Sequence, residues 1–488
     1  AREQGDPPRL ARAALGLAGT VVTPGVVDTQ VIALLTEALA ALGDDESALR
    51  VRLLGRLAME YRYSPLRERG DADSAAAVAI ARRLDDQAEL ALALQARHFA
   101  LLAPDTLDQR MAISLELSHL ADRTGTREVL LQSMPWRVAD LLDLGHVQAA
   151  DRAIAETEQL AAELRQPLYA WYAAMFRAQR VLMRGDMIAG EQLATAAYAL
   201  GQQVQPGAAQ IYYTAQLFIR RREQGRLPEL APRFADILEQ YPGMPIFRCW
   251  LALAHLQDGE DQAAAALLAK LCVGRCAALP WDQLWLGAMA ALAEVAVGVG
   301  DRGAAAELYE LLLPFAERHV MVGIPISVGS AALYLGQLAA ACGNSTAAAQ
   351  HYEQAIALNR RLGMRAFLAR AQVAYASLLR SSRQDDHAEA LLREASATVD
   401  LQELPVLAAE IAGVSREPRT PPPLPHGLSE RELATLRLLA RGQPTKAIAR
   451  ELAVSVSTVE RHITHLYAKI GARSRAEATA FAIRHQLL

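Results

Sequence analysis

Over the last sixty positions of the chain, apolar residues recur at helical spacing. Val459, Ile463, Leu466 and Ile470 fall at i, i+4, i+7 and i+11, which is one stripe of a helix. Ile448, Ala449 and Leu452 share a face of a shorter helix that starts at Thr445, with Pro444 at its entrance, where a missing N–H costs nothing. Ala453-Val454 form the turn between them, and Ser455 is a good N-cap for the second helix. Ser429–Glu432 and Ser474–Glu477 match the S-x-x-E capping box and open two more helices. Upstream, from about Arg9 to Gly413, amphipathic segments alternate with short Gly/Asp/Pro breaks, and no run reads convincingly as a strand. The pattern therefore predicts an all-α chain.

The upstream segments repeat. Turns are expected at Gly145, Gly185, Gly225, Gly259, Gly300, Gly343 and, less cleanly, Arg383, spaced by 40, 40, 34, 41, 43 and 40 residues. A small residue follows five positions on at Ala150, Gly190, Ala264, Ala305, Ala348 and Ala388, where two helices must cross closely. Gly70 followed by Ala75 is the best early candidate for the same motif. In residues 330–358, Leu335-Gly336 on a first helix and Ala348, Tyr352 and Ala355 on a second match the tetratricopeptide pattern. The body, residues 1–413, is thus expected to be a tetratricopeptide-like α-solenoid of nine to ten helix pairs, right-handed and with a concave inner surface. Arg416 to Pro425 holds five prolines in ten residues, so residues 414–426 read as a semi-rigid, extended linker to a domain at 427–488.

Composition sharpens this picture. Apolar residues make up 52% of the 488 positions but aromatics only 5%, a balance that suits stacked helices better than sheets. The net charge of −4 is uneven: from His426 onward there are 10 Lys+Arg against 5 Asp+Glu, leaving 40 against 49 for the rest. A basic tail on an acidic body is the asymmetry expected when only the tail meets phosphates. No Gly-Lys dipeptide exists, so there is no Walker A loop, and no nucleophile elbow or H-E-x-x-H is present; no catalytic role and no cofactor in this chain are expected. Four cysteines are too few for a secreted disulfide framework. Cys272 and Cys276, at i, i+4, read as buried small residues, and no metal site is expected. With neither an apolar run of membrane length nor a signal peptide, the protein is expected to be soluble and cytoplasmic, with no membrane partner. Ala1 in place of Met is expected to reflect either processing or, the favoured reading, a piece of a longer chain.

With the 459–470 stripe buried, about 100° per residue places Ser457, Arg461, Thr464 and Ala468 on the opposite face, flanked by Glu460 and His465. A small polar face centred on an arginine suits a DNA major groove, where Arg is the best donor to guanine O6 and N7. The segments L-S-E-R-E at 428–432, L-L-A-R-G at 438–442, K-A-I-A at 446–449, S-x-S-T-V-x-x-H at 455–462, K-I-G at 469–471 and R-S-R-A-E-A at 473–478 resemble the LuxR/GerE-type helix-turn-helix domain. That resemblance makes Thr445–Leu452 the scaffold helix and Ser455–Lys469 the recognition helix of a four-helix unit. The helix from Arg475 would pair two such domains on a pseudo-palindromic site. Arg461 and Thr464 would then read bases, with Glu460 as a further reader, while Thr445, Lys446, Ser457, Thr458 and Lys469 would lie near phosphates. Glu460 stands where the family commonly has lysine; helix capping or an orienting contact is the favoured role, base contact the alternative. His462 is expected to be a structural histidine at the edge of the buried stripe.

A tetratricopeptide-like body before a LuxR-type tail resembles the C-terminal part of the large ATP-binding LuxR-type transcription regulators, the maltose-regulon-activator-like group. The resemblance implies a nucleotide-binding module upstream, a small-molecule inducer or a protein on the solenoid, and self-association on double-stranded DNA as a homodimer or oligomer. The expected function is a sequence-specific DNA-binding regulator, an activator by that analogy. The alternative is a scaffold or adaptor whose tail serves dimerisation or docking. Tyr169, Trp171, Tyr172, Tyr212, Tyr213, Trp250, Trp281 and Trp285 cluster on first helices, as a ligand groove would require and as packing between repeats also would.

Overall fold

The computed structural model describes the chain apart from residues 1–5, 20, 21, 23, 24, 65, 278, 399–402, 417–424, 486 and 488. The chain separates into two compact units, Ala1–Glu417 and Pro418–Leu488. The extended proline segment expected at the junction lies mostly outside the described residues, but the last helix of the body, Pro405–Arg416, runs past Gly413. No described helix is long and apolar enough to cross a membrane.

Among the described residues the body is a stack of ten helix pairs, from Pro7–Ala18 with Thr29–Leu42 to Arg365–Ser381 with Asp385–Thr398, followed by Pro405–Arg416. The turn residues have a common physical cause. Gly145, Gly185, Gly225, Gly259, Gly300 and Gly343 all sit at φ between 72° and 88°, and Arg383 is at 63°, a left-handed conformation that ends one helix and reverses the chain. Five residues on, Ala150, Ala264, Ala305, Ala348 and Ala388 have no exposed surface. At Gly190 a Cβ would lie 2.5 Å from Leu182 Cδ2, so the partner helix occupies the space a side chain would need. Gly70 is a correction: it is inside the helix Arg67–Leu84, where a Cβ would lie 3.0 Å from the Ala58 carbonyl oxygen, and the turn of this pair comes earlier, through Tyr61–Tyr63 after the helix Ala48–Glu60. Close helix crossing and chain reversal both select glycine, and sequence spacing alone confused them.

The body also contains two strands that the hydrophobic pattern did not suggest. His319–Val322 and Ile326–Ser330 pair antiparallel around Gly323, with a bulge after His319, and every residue of both is buried. Their run of β-branched residues interrupted by G-I-P is a signal for a fully buried hairpin, hidden by its shortness among longer helices. The hairpin packs against helices far away in sequence, including Arg127–Asp143, Pro206–Glu223 and Arg365–Ser381. Gln216 Nε2 donates to Pro325 O at 3.2 Å, Tyr334 Oη donates to Val328 O at 2.5 Å, and the His319 ring meets Leu142 O through Nδ1 at 2.8 Å. Arg318 Nη2 pairs with Asp143 at 3.0 Å. One apolar core therefore runs from Leu131 to Ile411, where an open solenoid would have contacts between neighbouring repeats only.

At Gly336 an added Cβ would lie 2.5 Å from the Tyr352 ring, whereas nothing lies within 4 Å of one at exposed Gly16. Thermal unfolding should show Gly336→Ala destabilised by about 1–3 kcal/mol. Gly16→Ala should be neutral or stabilised by up to about 1 kcal/mol, since both glycines are helical.

Candidate functional site

The C-terminal unit has a core of its own. Leu436, Ile448, Val459, Leu466, Ala478 and Ala482 are fully buried where the helices Glu430–Ala440, Thr445–Glu451, Val456–Ile470 and Arg475–Arg484 meet. The turn between the second and third helices passes through Ala453 at φ 53°. Gly471 at φ 66° closes the third helix, its N–H reaching Tyr467 O. Arg475 Nη2 donates to Leu439 O and Gln443 O, both at 2.7 Å, and so satisfies carbonyls at the end of the first helix.

Capping locks this unit at three places. Ser429 and Glu432 form a reciprocal capping box. Ser474 accepts from Glu477 N–H, but Glu477 reaches one residue further back than a box requires, to the Arg473 N–H at 2.7 Å. Ser455 caps the third helix by accepting from Thr458 N–H at 3.1 Å, and its hydroxyl also meets those of Ser457 at 2.8 Å and Thr458 at 2.7 Å. Three hydroxyls are thereby gathered at the positive end of a 15-residue helix, a suitable surface for a phosphate.

Val459 and Leu466 are buried in that helix, with Ile463 and Ile470 packed partly against the core, so the opposite face is outward. Ser457, Glu460, Arg461, Thr464, His465 and Ala468 are all exposed. Arg461 has no hydrogen bond or ion pair among the described residues, which leaves its guanidinium available. Thr464 Oγ1 donates to Glu460 O at 3.0 Å, so this hydroxyl would meet a base as an acceptor or through its methyl group. The Glu460 carboxylate is likewise unpaired among the described residues. It stands five positions into the helix whose cap is Ser455, too far along to cap it, and the favoured capping role is therefore corrected. His462 is half-buried beside the apolar stripe.

Lys469 is placed differently from expectation. Its Nζ donates to Glu432 Oε2 at 2.7 Å and to Gly427 O at 3.0 Å, joining the end of the third helix to the start of the first. A cation held this way is an internal strut, not a free phosphate ligand. Lys446 is exposed, and Thr445 is half-buried at the start of the second helix. Arg450, one turn beyond Lys446, is exposed on the same face and has no acidic partner among the described residues. The spacing Lys446-x-x-x-Arg450, with Ile448 and Ala449 buried between them, is the signal that could have identified it.

Residues 426–482 match the family model described as bacterial regulatory proteins, luxR family. The C-terminal unit is a LuxR-type helix-turn-helix domain. Over 61 residues, 12% of this chain, it is 48% identical to the oxygen regulatory protein NreC of Staphylococcus aureus strains JH9 and NCTC 8325. The match spans 28% of the length of those relatives. The crystal structure of yeast Tom70 aligns over 84% of this chain and 89% of its own, at 12% identity and a TM-score of 0.35.

The aromatic residues of the body divide into two groups. Tyr169, Tyr172 and Tyr212 line a cavity of about 500 Å³ together with Tyr63, Phe99 and Trp136. The other expected groove residues lie elsewhere. Trp171 is buried between Tyr172 and Tyr212, with ring centroids 4.9 and 5.7 Å away, and Trp250 stacks on Phe218 at 4.3 Å. Trp285 is buried against Trp281, whose Nε1 donates to Asp105 Oδ1 at 3.0 Å, and Tyr213 stacks on Tyr198 at 4.6 Å. These five fill inter-helix space, the usual fate of large rings in a core.

Sequence reasoning missed the first three pairs' share of the cavity, because their repeat register is poor. Arg52 and Arg56 face it, but Arg52 is neutralised by Glu89, with Nε 2.9 Å from Oε1, and Arg56 by Glu60. The amide of Gln95 donates to Gln132 at 3.0 Å. Burial raises the Tyr169, Tyr172 and Tyr212 phenols above their ordinary range, so all three remain protonated hydrogen-bond donors at neutral pH.

The strut carries a pH dependence. Burial pushes the Glu432 carboxyl up, but hydrogen bonds from Lys469 and from the Ser429 N–H and hydroxyl outweigh it and hold the group at about 2. A carboxyl whose pKa is depressed on folding adds stability above its unfolded value of about 4.3 and loses it as pH falls toward the folded value. Amide exchange in residues 428–440, corrected for intrinsic rates, should therefore accelerate between about pH 4.3 and about pH 2. Glu432→Gln should exchange faster at neutral pH and lose most of that dependence.

Proposed function

We propose that this protein is a sequence-specific, DNA-binding transcription regulator whose tail reads the major groove and whose body binds a small ligand. The observation that carries the first part is the exposed, unpaired Arg461 at the centre of a small polar face, on a helix of a LuxR-type domain. In a groove about 12 Å wide, Arg461 would donate two hydrogen bonds to guanine O6 and N7. Glu460, unpaired and beside it, would accept from cytosine N4, and Thr464 would contact a neighbouring base. Ser457, Thr458, Thr445, Lys446 and Arg450 would hold the phosphates that fix the helix in register. A homodimer on an inverted repeat and activation of transcription belong to this reading by the same resemblance.

For the body, support comes from the cavity. Its cations already have carboxylate partners, while its phenols and amides stand among aromatic rings. Such a lining favours an uncharged, ring-bearing molecule with polar groups at its rim. That ligand would control self-association of the tail.

Titration of the whole chain against its preferred duplex and a scrambled one over a salt series tests the tail assignment. Arg461→Ala should lose about 1–3 kcal/mol on the preferred duplex and little on the scrambled one. Lys446→Ala should weaken both alike and reduce the salt slope by about one. Equal losses from both variants on both duplexes would remove Arg461 as the base reader. For the body, any neutral compound that raises the melting temperature of the chain should lose about tenfold in affinity with Gln132→Ala, the equivalent of roughly one hydrogen bond.

A further inference from the structure

The connection between the helices Asp261–Leu271 and Trp285–Gly298 contains the two closest thiols of the body. Cys272 Sγ and Cys276 Sγ are 3.1 Å apart, and both cysteines are free. In an ordinary helix, positions i and i+4 hold their Cβ atoms about 5–6 Å apart, beyond the roughly 3.5–4.5 Å that a disulfide spans. Here the helix does not continue. Gly274 and Arg275 take left-handed φ values of 60° and 59°, Cys276 one of 56°, and the chain folds back so that one sulfur faces the other. Two of those three residues are not glycine, and such conformations cost roughly 1–3 kcal/mol each unless the surroundings hold them. The third nearby thiol, Cys249, is fully buried, and Cys342 is exposed 66 or more positions away in the chain.

We propose that Cys272 and Cys276 form a reversible disulfide, making this connection a redox modification site. Cys272 is partly exposed, so the pair is open to a small oxidant from solvent, whereas Cys276 is at 2% exposure. The hydrogen bond from one thiol to the other separates their titration: it holds Cys276 below the ordinary thiol range and raises Cys272 above it. With hydrogen peroxide as oxidant, one thiolate attacks a peroxide oxygen, the O–O bond breaks, and a sulfenic acid and hydroxide form. The second thiol attacks that sulfur, the S–S bond forms, and the hydroxyl leaves as water with the thiol proton. Two thiols and one peroxide give one disulfide and two waters, the sulfurs losing two electrons. Closure to about 2.05 Å requires the sulfurs to approach by roughly 1 Å.

The location gives the bond a consequence. The strand of chain that follows Cys276 carries Trp281, whose carbonyl accepts from Arg67 and whose indole holds Asp105, and then Gln283, which lines the 500 Å³ cavity. A staple at its start fixes the segment that joins the middle of the body to the first pairs.

The test treats the whole chain with hydrogen peroxide, alkylates the remaining thiols with iodoacetamide and digests with trypsin. Cleavage after Lys270, Arg275 and Arg302 puts the two cysteines in separate peptides, 271–275 and 276–302. The expected result is loss of both alkylated peptides and appearance of one linked pair, two hydrogens lighter than the sum of the two unalkylated peptides and released by dithiothreitol. Cys272→Ser should abolish the linked pair and leave Cys276 to be trapped as a sulfenic acid by dimedone. Exposed Cys342 serves as the internal control. If Cys342 is oxidised while Cys272 and Cys276 both remain alkylatable, or if Cys276 links to Cys249 instead, the proposal is overturned.

Discussion

The body depends on a buried hairpin. A stack of helix pairs needs only contacts between neighbours, but residues 319–330 place nine buried strand residues among helices that range from Arg127–Asp143 to Arg365–Ser381. Their backbone groups cannot reach water there, so each must find a partner in the protein. Tyr334 supplies one at Val328 O, Gln216 serves Pro325 O in the turn, and the ring of His319 and the guanidinium of Arg318 fasten the start of the hairpin to the helix Arg127–Asp143. Burial holds the His319 imidazole below its usual range and hence neutral, consistent with its place among Ser327, Met364 and Leu142. The hairpin thus unites repeats that sequence order keeps far apart, and the space left open lies among the earlier pairs, where the cavity is found.

The tail solves a different problem, with about sixty residues and a small core. Its compensation is in the ends of its helices. The Ser429–Glu432 box, the Lys469 strut and the Arg475 bonds to two carbonyls satisfy groups that so small a unit could not bury unpaired. Those fixed ends hold the third helix with its apolar stripe inward, and the face carrying Arg461 is outward as a consequence. Function on this account rests on groups left without partners, whereas stability rests on groups that have them. Lys469 and Arg461 are both cations of one helix and fall on opposite sides of that division.

Much of this was legible from residues alone. The apolar stripe at Val459, Leu466 and their neighbours fixed the outward face, and the left-handed glycines from Gly145 to Gly343 marked each chain reversal, because both signals are local. What escaped was long-range. Gly70 is required by the approach of a neighbouring helix, not by its own backbone, and Lys469 finds Glu432 across 37 positions. The hairpin and the cavity each draw on segments more than a hundred residues apart, which no window along the chain brings together. The cysteine pair escaped for the opposite reason: i, i+4 spacing assumes a helix, and the chain there is left-handed.

The central claim is that the tail reads a DNA sequence through the face around Arg461. It is tested most directly by incubating fragmented genomic DNA with the intact chain across a salt series and sequencing what remains bound. The account predicts enrichment of one inverted-repeat motif, lost from the Arg461→Ala chain while total DNA binding at low salt persists. Recovery of fragments with no common motif, or an unchanged motif with Arg461→Ala, would contradict it.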